Sequence, residues 1–176
     1  MNSSEINPNI ISFVALANEY CQALEQAPET PVSDFVDTML RLLPRLYIAG
    51  RDIPAPVDEL GGFGGTAIYG ALEEDQYEAV RTGVARLLGE DDMFLDAQVA
   101  DMQYSDTPIA QSVAEKLADL YQPMYDLVYS VRESGAEHIT EQATETRASI
   151  EQWSQPLTTA LRVLNSLSYT LPEESE

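Results

Sequence analysis

Twenty-six residues, TPIAQSVAEKLADLYQPMYDLVYSVR from Thr107 to Arg132, constrain the fold of this chain more than any other stretch. The apolar residues Ile109, Val113, Leu117, Leu120, Met124, Leu127 and Val131 recur every three or four positions, the repeat of one helical face. Glu115, Asp119, Gln122 and Asp126 fall on the opposite side. Tyr121, Tyr125 and Tyr129 stack at i, i+4 spacing along one flank. A helix apolar over this much of its circumference needs several neighbours, so the spacing predicts a central helix.

The flanking sequence repeats the same period. Asn7-Pro8 reads as a helix start, with Asn7 as N-cap and Pro8 in the first turn, where its missing N–H costs nothing. Ile10, Val14, Ala17, Cys21 and Leu24 mark the buried side of that helix, which ends near Ala27-Pro28. Thr30-Pro31 reads as a second start, followed by Phe35, Val36, Met39, Leu43 and Leu46, with Gly50 as the stop. Pro44 predicts a kink or early break. RDIPAPVDELGGFGGTAIYG (residues 51–70) carries five glycines and two prolines and reads as an irregular loop. Its GGFGG lacks the preceding strand and following Lys-Ser or Lys-Thr of a phosphate cradle.

A third helix is marked by Tyr77, Val80, Val84, Leu87 and Leu88, with Glu73, Glu74 and Asp75 at its positive end and Gly89 closing it. Glu90 to Met102 reads as a short fourth helical segment through Phe94, Leu95 and Val99. Thr107-Pro108 reads as the start of the central helix, and Pro123 predicts a bend near Asp119. After Gly135 come Ile139, Ala143, Thr146, Ile150, Trp153, Leu157, Leu161, Leu164 and Leu167, one long stretch that Pro156 bends or divides. No period-two run is bounded by turn residues, so strands are not expected. The expectation is an all-α, single-domain bundle of five to seven helices over residues 1–172 with one Gly/Pro-rich loop, and an acidic tail at 173–176.

Charge narrows the function classes. Thirty acidic residues against nine basic ones give a formal net charge of -21. Such a chain offers no basic stripe to a phosphate backbone and attracts basic proteins and cations instead. Cys21 is the sole cysteine, so an intrachain disulfide and a thiolate zinc site are excluded. Its apolar neighbours predict an inert thiol. The opening residues lack a signal-peptide pattern and no apolar run reaches membrane-spanning length, which predicts a cytoplasmic protein without a membrane partner.

The acidic-aromatic run Asp91 to Asp106, the following TPIAQSVAEKLADLYQPM, and Trp153 ahead of ALRVL (Ala160 to Leu164) carry a resemblance. So do FVALANEYCQALE and FVDTMLRLLPRLYIAG near the start. With Ser112, Leu117, Ala118, Asp119 and Tyr121 in the pattern S-x-x-x-x-L-A-D-x-Y, the chain resembles a bacterial family, domain of unknown function 5063, common in gut Bacteroidetes. The resemblance implies an α-helical fold and brings no activity with it.

Three constellations bear on chemistry. Asp91, Asp92, Asp96, Asp101 and Asp106, with Glu115, Asp119 and Asp126, supply hard oxygen ligands of the kind Mg²⁺, Mn²⁺ or Ca²⁺ prefer; the alternative is a solvated acidic face. A di-iron site is excluded, because it needs Glu-x-x-His on two helices and His138 is the sole histidine. Tyr104, Tyr121, Tyr125 and Tyr129 suit a partner-binding groove, or else pack between helices. His138 has Glu141 and Gln142 one turn on, and no Ser or Cys sits in a nucleophile context. The leading expectation is a non-enzymatic, cofactor-free interaction module engaging a protein partner of basic character. The alternatives are a divalent-cation protein or enzyme centred on Asp91, Asp92, Asp96, Asp106, Glu115 and Asp119, and a nucleic-acid mimic for a basic partner.

Overall fold

Pro8, just inside the first turn, and Asn7, whose Oδ1 accepts the Asn9 N–H at 2.9 Å, open helix α1 (Pro8–Glu25) as the sequence predicts. The structure, a computed structural model, describes residues 5–55, 67–96 and 107–172. Among them run α2 (Val32–Asp52), α3 (Glu74–Leu88), β1 (Met93–Asp96), β2 (Ile109–Ser112), α4 (Val113–Ser134), α5 (Ile139–Ala148) and α6 (Ile150–Ser168). Short 3₁₀ turns at Ala27–Glu29, Gly89–Asp92 and Ala136–His138 join them.

Four helices close a ring in the order α1, α2, α6, α4, each packing on the next and α4 returning to α1. Against α4 lie α3 on one side and α5 on another, so α4 touches four helices. Its apolar circumference requires this: Val113, Leu117, Leu120, Met124 and Leu127 are all completely buried. Each such side chain contributes about 1.5–3 kcal/mol relative to exposure. Phe13, Phe35, Met39, Leu43, Leu46, Trp153, Leu157 and Leu164 join them in one apolar cluster fed by all six helices. Tyr20, fully buried, donates from its hydroxyl to the Leu117 carbonyl at 2.6 Å, so its polar atom is satisfied inside the core.

The chain departs from its sequence reading in several places. Strands form where none were expected: β1 pairs antiparallel with β2 in the register Met93↔Ser112 to Asp96↔Ile109. Glu90 to Met102 is therefore not a helical segment; its described part is a 3₁₀ turn and a strand, and Val99 and Met102 lie outside the described residues. Thr107-Pro108 does not start α4. Ser112 is the N-cap, its Oγ accepting the Glu115 N–H at 3.1 Å, because Asp92 fixes that hydroxyl from below.

The second helix opens one residue later than predicted, with Pro31 at the cap position, since Thr30 turns its hydroxyl back to the Gln26 carbonyl. Gly50 does not stop α2, which continues to Asp52; that glycine is there because Trp153 packs on it. Pro44, Pro123 and Pro156 all sit inside unbroken helices. The last stretch divides at Ser149 instead of Pro156. There the Thr146 carbonyl accepts from Trp153 Nε1 at 2.9 Å and from Ser149 Oγ at 3.0 Å, side-chain donors that compete with the helical ladder.

Candidate interaction surfaces

The polar side of α4 is the first surface the sequence singles out, and its role differs from expectation. Residues 67–77, comprising an extended segment and the first turn of α3, run antiparallel along it. Tyr77 Oη donates to Asp119 Oδ1 at 2.7 Å, and Gln76 Nε2 donates to Tyr121 Oη at 2.9 Å. Asp126 Oδ1 accepts the Ala71 and Leu72 N–H groups at 2.9 and 3.0 Å, and Ser130 Oγ accepts that of Tyr69 at 2.8 Å. Beyond them, Glu145 Oε2 accepts the Ala67 N–H at 3.1 Å and Gln142 Nε2 donates to the Ala67 carbonyl at 3.2 Å. An extended segment with no strand beside it needs acceptors for its amides, and side chains supply them here. Asp126 is consequently buried, not part of a solvated face. Its two backbone donors offset the cost of removing a carboxylate from water.

The three tyrosines form a ladder that is only partly a surface. Ring centroids of Tyr121 and Tyr125 lie 5.5 Å apart, and those of Tyr125 and Tyr129 lie 6.3 Å apart. Tyr121, expected at a groove rim, is fully buried and its hydroxyl donates to Glu25 Oε1 at 2.8 Å. Burial, followed by that bond to Glu25, pushes its hydroxyl well above the ordinary tyrosine range. It holds α1 to α4. Tyr125 and Tyr129 remain half-buried, and Tyr104 lies outside the described residues.

The predicted cation ligands are dispersed. Asp92 is buried and committed: Oδ2 accepts from Ser112 Oγ at 2.7 Å and Oδ1 accepts the Ala114 N–H at 2.7 Å. Asp96 is buried beside Arg162, 3.5 Å away on α6. Asp91 and Glu115 are exposed, while Asp119 is exposed and holds Tyr77. Asp101 and Asp106 lie outside the described residues. Among the described residues no three His, Cys, Asp or Glu side chains stand together as a metal site would require. His138 pairs with Glu141 at 3.5 Å on the surface, the i, i+3 contact its sequence suggests. Cys21 is buried, and burial followed by the neighbouring Glu25 raises its thiol far above the reactive range.

A second surface has no counterpart in the sequence reading. On the ribbon, Met93 and Leu95 are 57% and 69% exposed, and Ile109 on the partner strand is 46% exposed. Met93 and Leu95, two residues apart, project from the same face of β1. Their neighbour Phe94 packs inward against the core, and Asp96 beyond it is buried. The uninterrupted apolar run Met93-Phe94-Leu95 hides this alternation. The available signal was a short apolar run between Asp92 and Asp96, too brief to tell strand from helix.

These features define an all-helical domain with a small β ribbon inserted before its central helix. The chain belongs to the family described as a domain of unknown function (DUF5063), whose model matches residues 4–170. It is similar in structure to protein BF1032 from Bacteroides fragilis, known from a crystal structure. The two share 27% sequence identity and a TM-score of 0.77, over 97% of this chain and 98% of that one. No curated protein matches the sequence. Among the described residues no helix is long and apolar enough to cross a membrane.

Proposed function

We propose that the chain is a non-enzymatic, acidic interaction module of the cytoplasm, and that its partner docks on the β1–β2 ribbon. The observation carrying this reading is the pair Met93 and Leu95, both exposed and projecting from one face of β1. Apolar side chains gathered in this way are a common mark of a docking surface. The half-buried Tyr125 and Tyr129 offer a smaller secondary face, since Tyr121 is occupied within the core.

The test compares capture by the wild-type protein with capture by Met93→Ser/Leu95→Ser, both immobilised at physiological salt. Because both side chains face solvent, the double variant keeps its melting temperature. A partner retained by wild type at stoichiometric level and lost by the variant supports the ribbon. Identical capture by both proteins overturns it, and loss through Tyr125→Ala instead would move the docking face to the tyrosines.

A further inference from the structure

We propose that two copies of the chain pair through the outer face of α3, antiparallel about a two-fold axis level with the step from Val80 to Arg81. This face is separate from the ribbon, and the proposal goes beyond the function given above. α3 packs inward on α4 and on the 3₁₀ turn Ala27–Glu29. On its outer side Asp75, Ala79, Thr82, Gly83 and Arg86 line, with Pro28, an open groove of about 840 Å³. Pro28 closes the floor, so near that a Cβ at Gly83 would stand 3.0 Å from its Cγ. Asp75, Ala79, Thr82 and Arg86 follow one another at intervals of four, three and four, the spacing by which one helix faces another. The middle of this seam is small enough for a second helix to come close. Its two ends carry opposite charges.

Charge selects the occupant. Laid antiparallel on itself, the seam brings Asp75 of each copy to Arg86 of the other, and Ala79 to Thr82. It is thus self-complementary, as a two-fold interface must be. Parallel pairing in register would set Asp75 on Asp75 and Arg86 on Arg86, and repulsion disfavours it. Asp75 and Arg86 are exposed and, among the described residues, belong to no ion pair, whereas Glu78 is already held by Arg81 at 2.6 Å. The net charge of -21 opposes association of any two copies. At physiological salt, screening over about 8 Å confines that repulsion to nearby groups, and the nearby groups at this seam attract. A short seam of small residues under that opposition makes a weak dimer, formed only at high concentration.

The test is sedimentation equilibrium of the full chain at physiological salt, up to millimolar concentration. The mass should rise from the 19.4 kDa of one chain toward twice that value. Asp75→Arg and Arg86→Asp each place like charges together at both ends of the seam, and each alone should raise the dissociation constant by about tenfold or more. Mixed in equal amounts, the two single variants complement each other, and the mixture should regain the association that each has lost. Asp75→Arg also lowers the net negative charge, so association governed by overall charge would strengthen in that variant instead. Ala79→Lys keeps both end charges and a good helix former, and should abolish pairing by filling the seam. Both charged positions and Ala79 are exposed, so helical circular dichroism should be unchanged in every variant. A wild-type mass that stays at one chain overturns the proposal. So does a dimer that survives the single variants, or a mixture that fails to regain it. A dimer lost only through Met93→Ser/Leu95→Ser would place self-contact on the ribbon and overturn α3 pairing equally.

Discussion

Gly50 on α2 lies directly against the ring of Trp153 on α6: a Cβ built at Gly50 would stand 2.5 Å from Trp153 Cη2 and 3.0 Å from Cζ2. The indole cannot retreat. Its Nε1 donates to the Thr146 carbonyl at 2.9 Å, and its ring stacks on Phe13 with centroids 5.9 Å apart. Alanine would gain about 1 kcal/mol of helix propensity over glycine, while overpacking a core costs about 1–3 kcal/mol. Gly50→Ala should therefore lower stability by up to about 2 kcal/mol, read as a fall in denaturation midpoint at unchanged slope. A higher midpoint would show that the two helices can part freely, against this account.

Asp126 gathers two amides that have no other acceptor among the described residues. Asp126→Ala should cost about 2 kcal/mol, because each orphaned donor forfeits about 1–3 kcal/mol and these two are only partly buried, within reach of water. The specific readout is hydrogen exchange. Amides of Ala71 and Leu72 should lose protection strongly, while those in the middle of α4 lose it only as far as global stability falls. Asp126→Asn keeps an acceptor oxygen and should lose less. Equal protection at Ala71 and Leu72 in the alanine variant would mean that the contact holds nothing in place.

Ser112 both caps α4 and answers to Asp92, so the two residues should act as a unit. Ser112→Ala should cost about 1 kcal/mol, the usual worth of an N-cap hydroxyl. Asp92→Ala should cost more, since it strands the N–H of Ala114, a completely buried residue. In a double-mutant cycle the pair should show a coupling of about 0.5 kcal/mol or more. Strict additivity would contradict the 2.7 Å contact between them.

High pH should unfold the protein through its buried hydroxyls. Burial raises Tyr20, and burial with the bond to Glu25 raises Tyr121, both from an ordinary value of 10.0. Tyr77 moves the same way through burial and its bond to Asp119, with a smaller share because solvent reaches it. A group raised on folding holds more protons in the native state above its unfolded value, so stability is intact below pH 10 and declines as pH climbs beyond it. Ultraviolet titration should resolve tyrosine ionisation into separate steps. A later step should coincide with loss of helical circular dichroism. A single step near pH 10 with the helices intact would contradict the burial of Tyr20 and Tyr121.

The helices were legible because their period was. On α2, Phe35, Val36, Met39, Leu43 and Leu46 are all buried as spaced, and Gly89 ends α3 with a positive φ of 58°. What escaped depended on partners distant in sequence. Ile109 fits the apolar period of α4 yet lies in β2, because its pairing with Asp96 is set thirteen residues away. Asp126 fits the period of a solvated stripe, and only the approach of Ala71 and Leu72 makes it an internal acceptor. Tyr121 belongs to the tyrosine flank by spacing but is claimed by Glu25 on α1. Periodicity reports which side of a helix is apolar; it does not report what arrives on the other side.

The three longest helices, α2, α4 and α6, each carry a proline well inside them, at Pro44, Pro123 and Pro156. Each ring deletes one amide donor and disfavours the helical backbone of the residue before it. None of these segments would hold its shape as an excised peptide. Their unbroken runs exist by mutual support, with every helix a scaffold for its neighbours. The chain is thus built to acquire order all at once: a fragment from either half would behave as a disordered polymer, and the bundle has no independently standing part on which the others assemble.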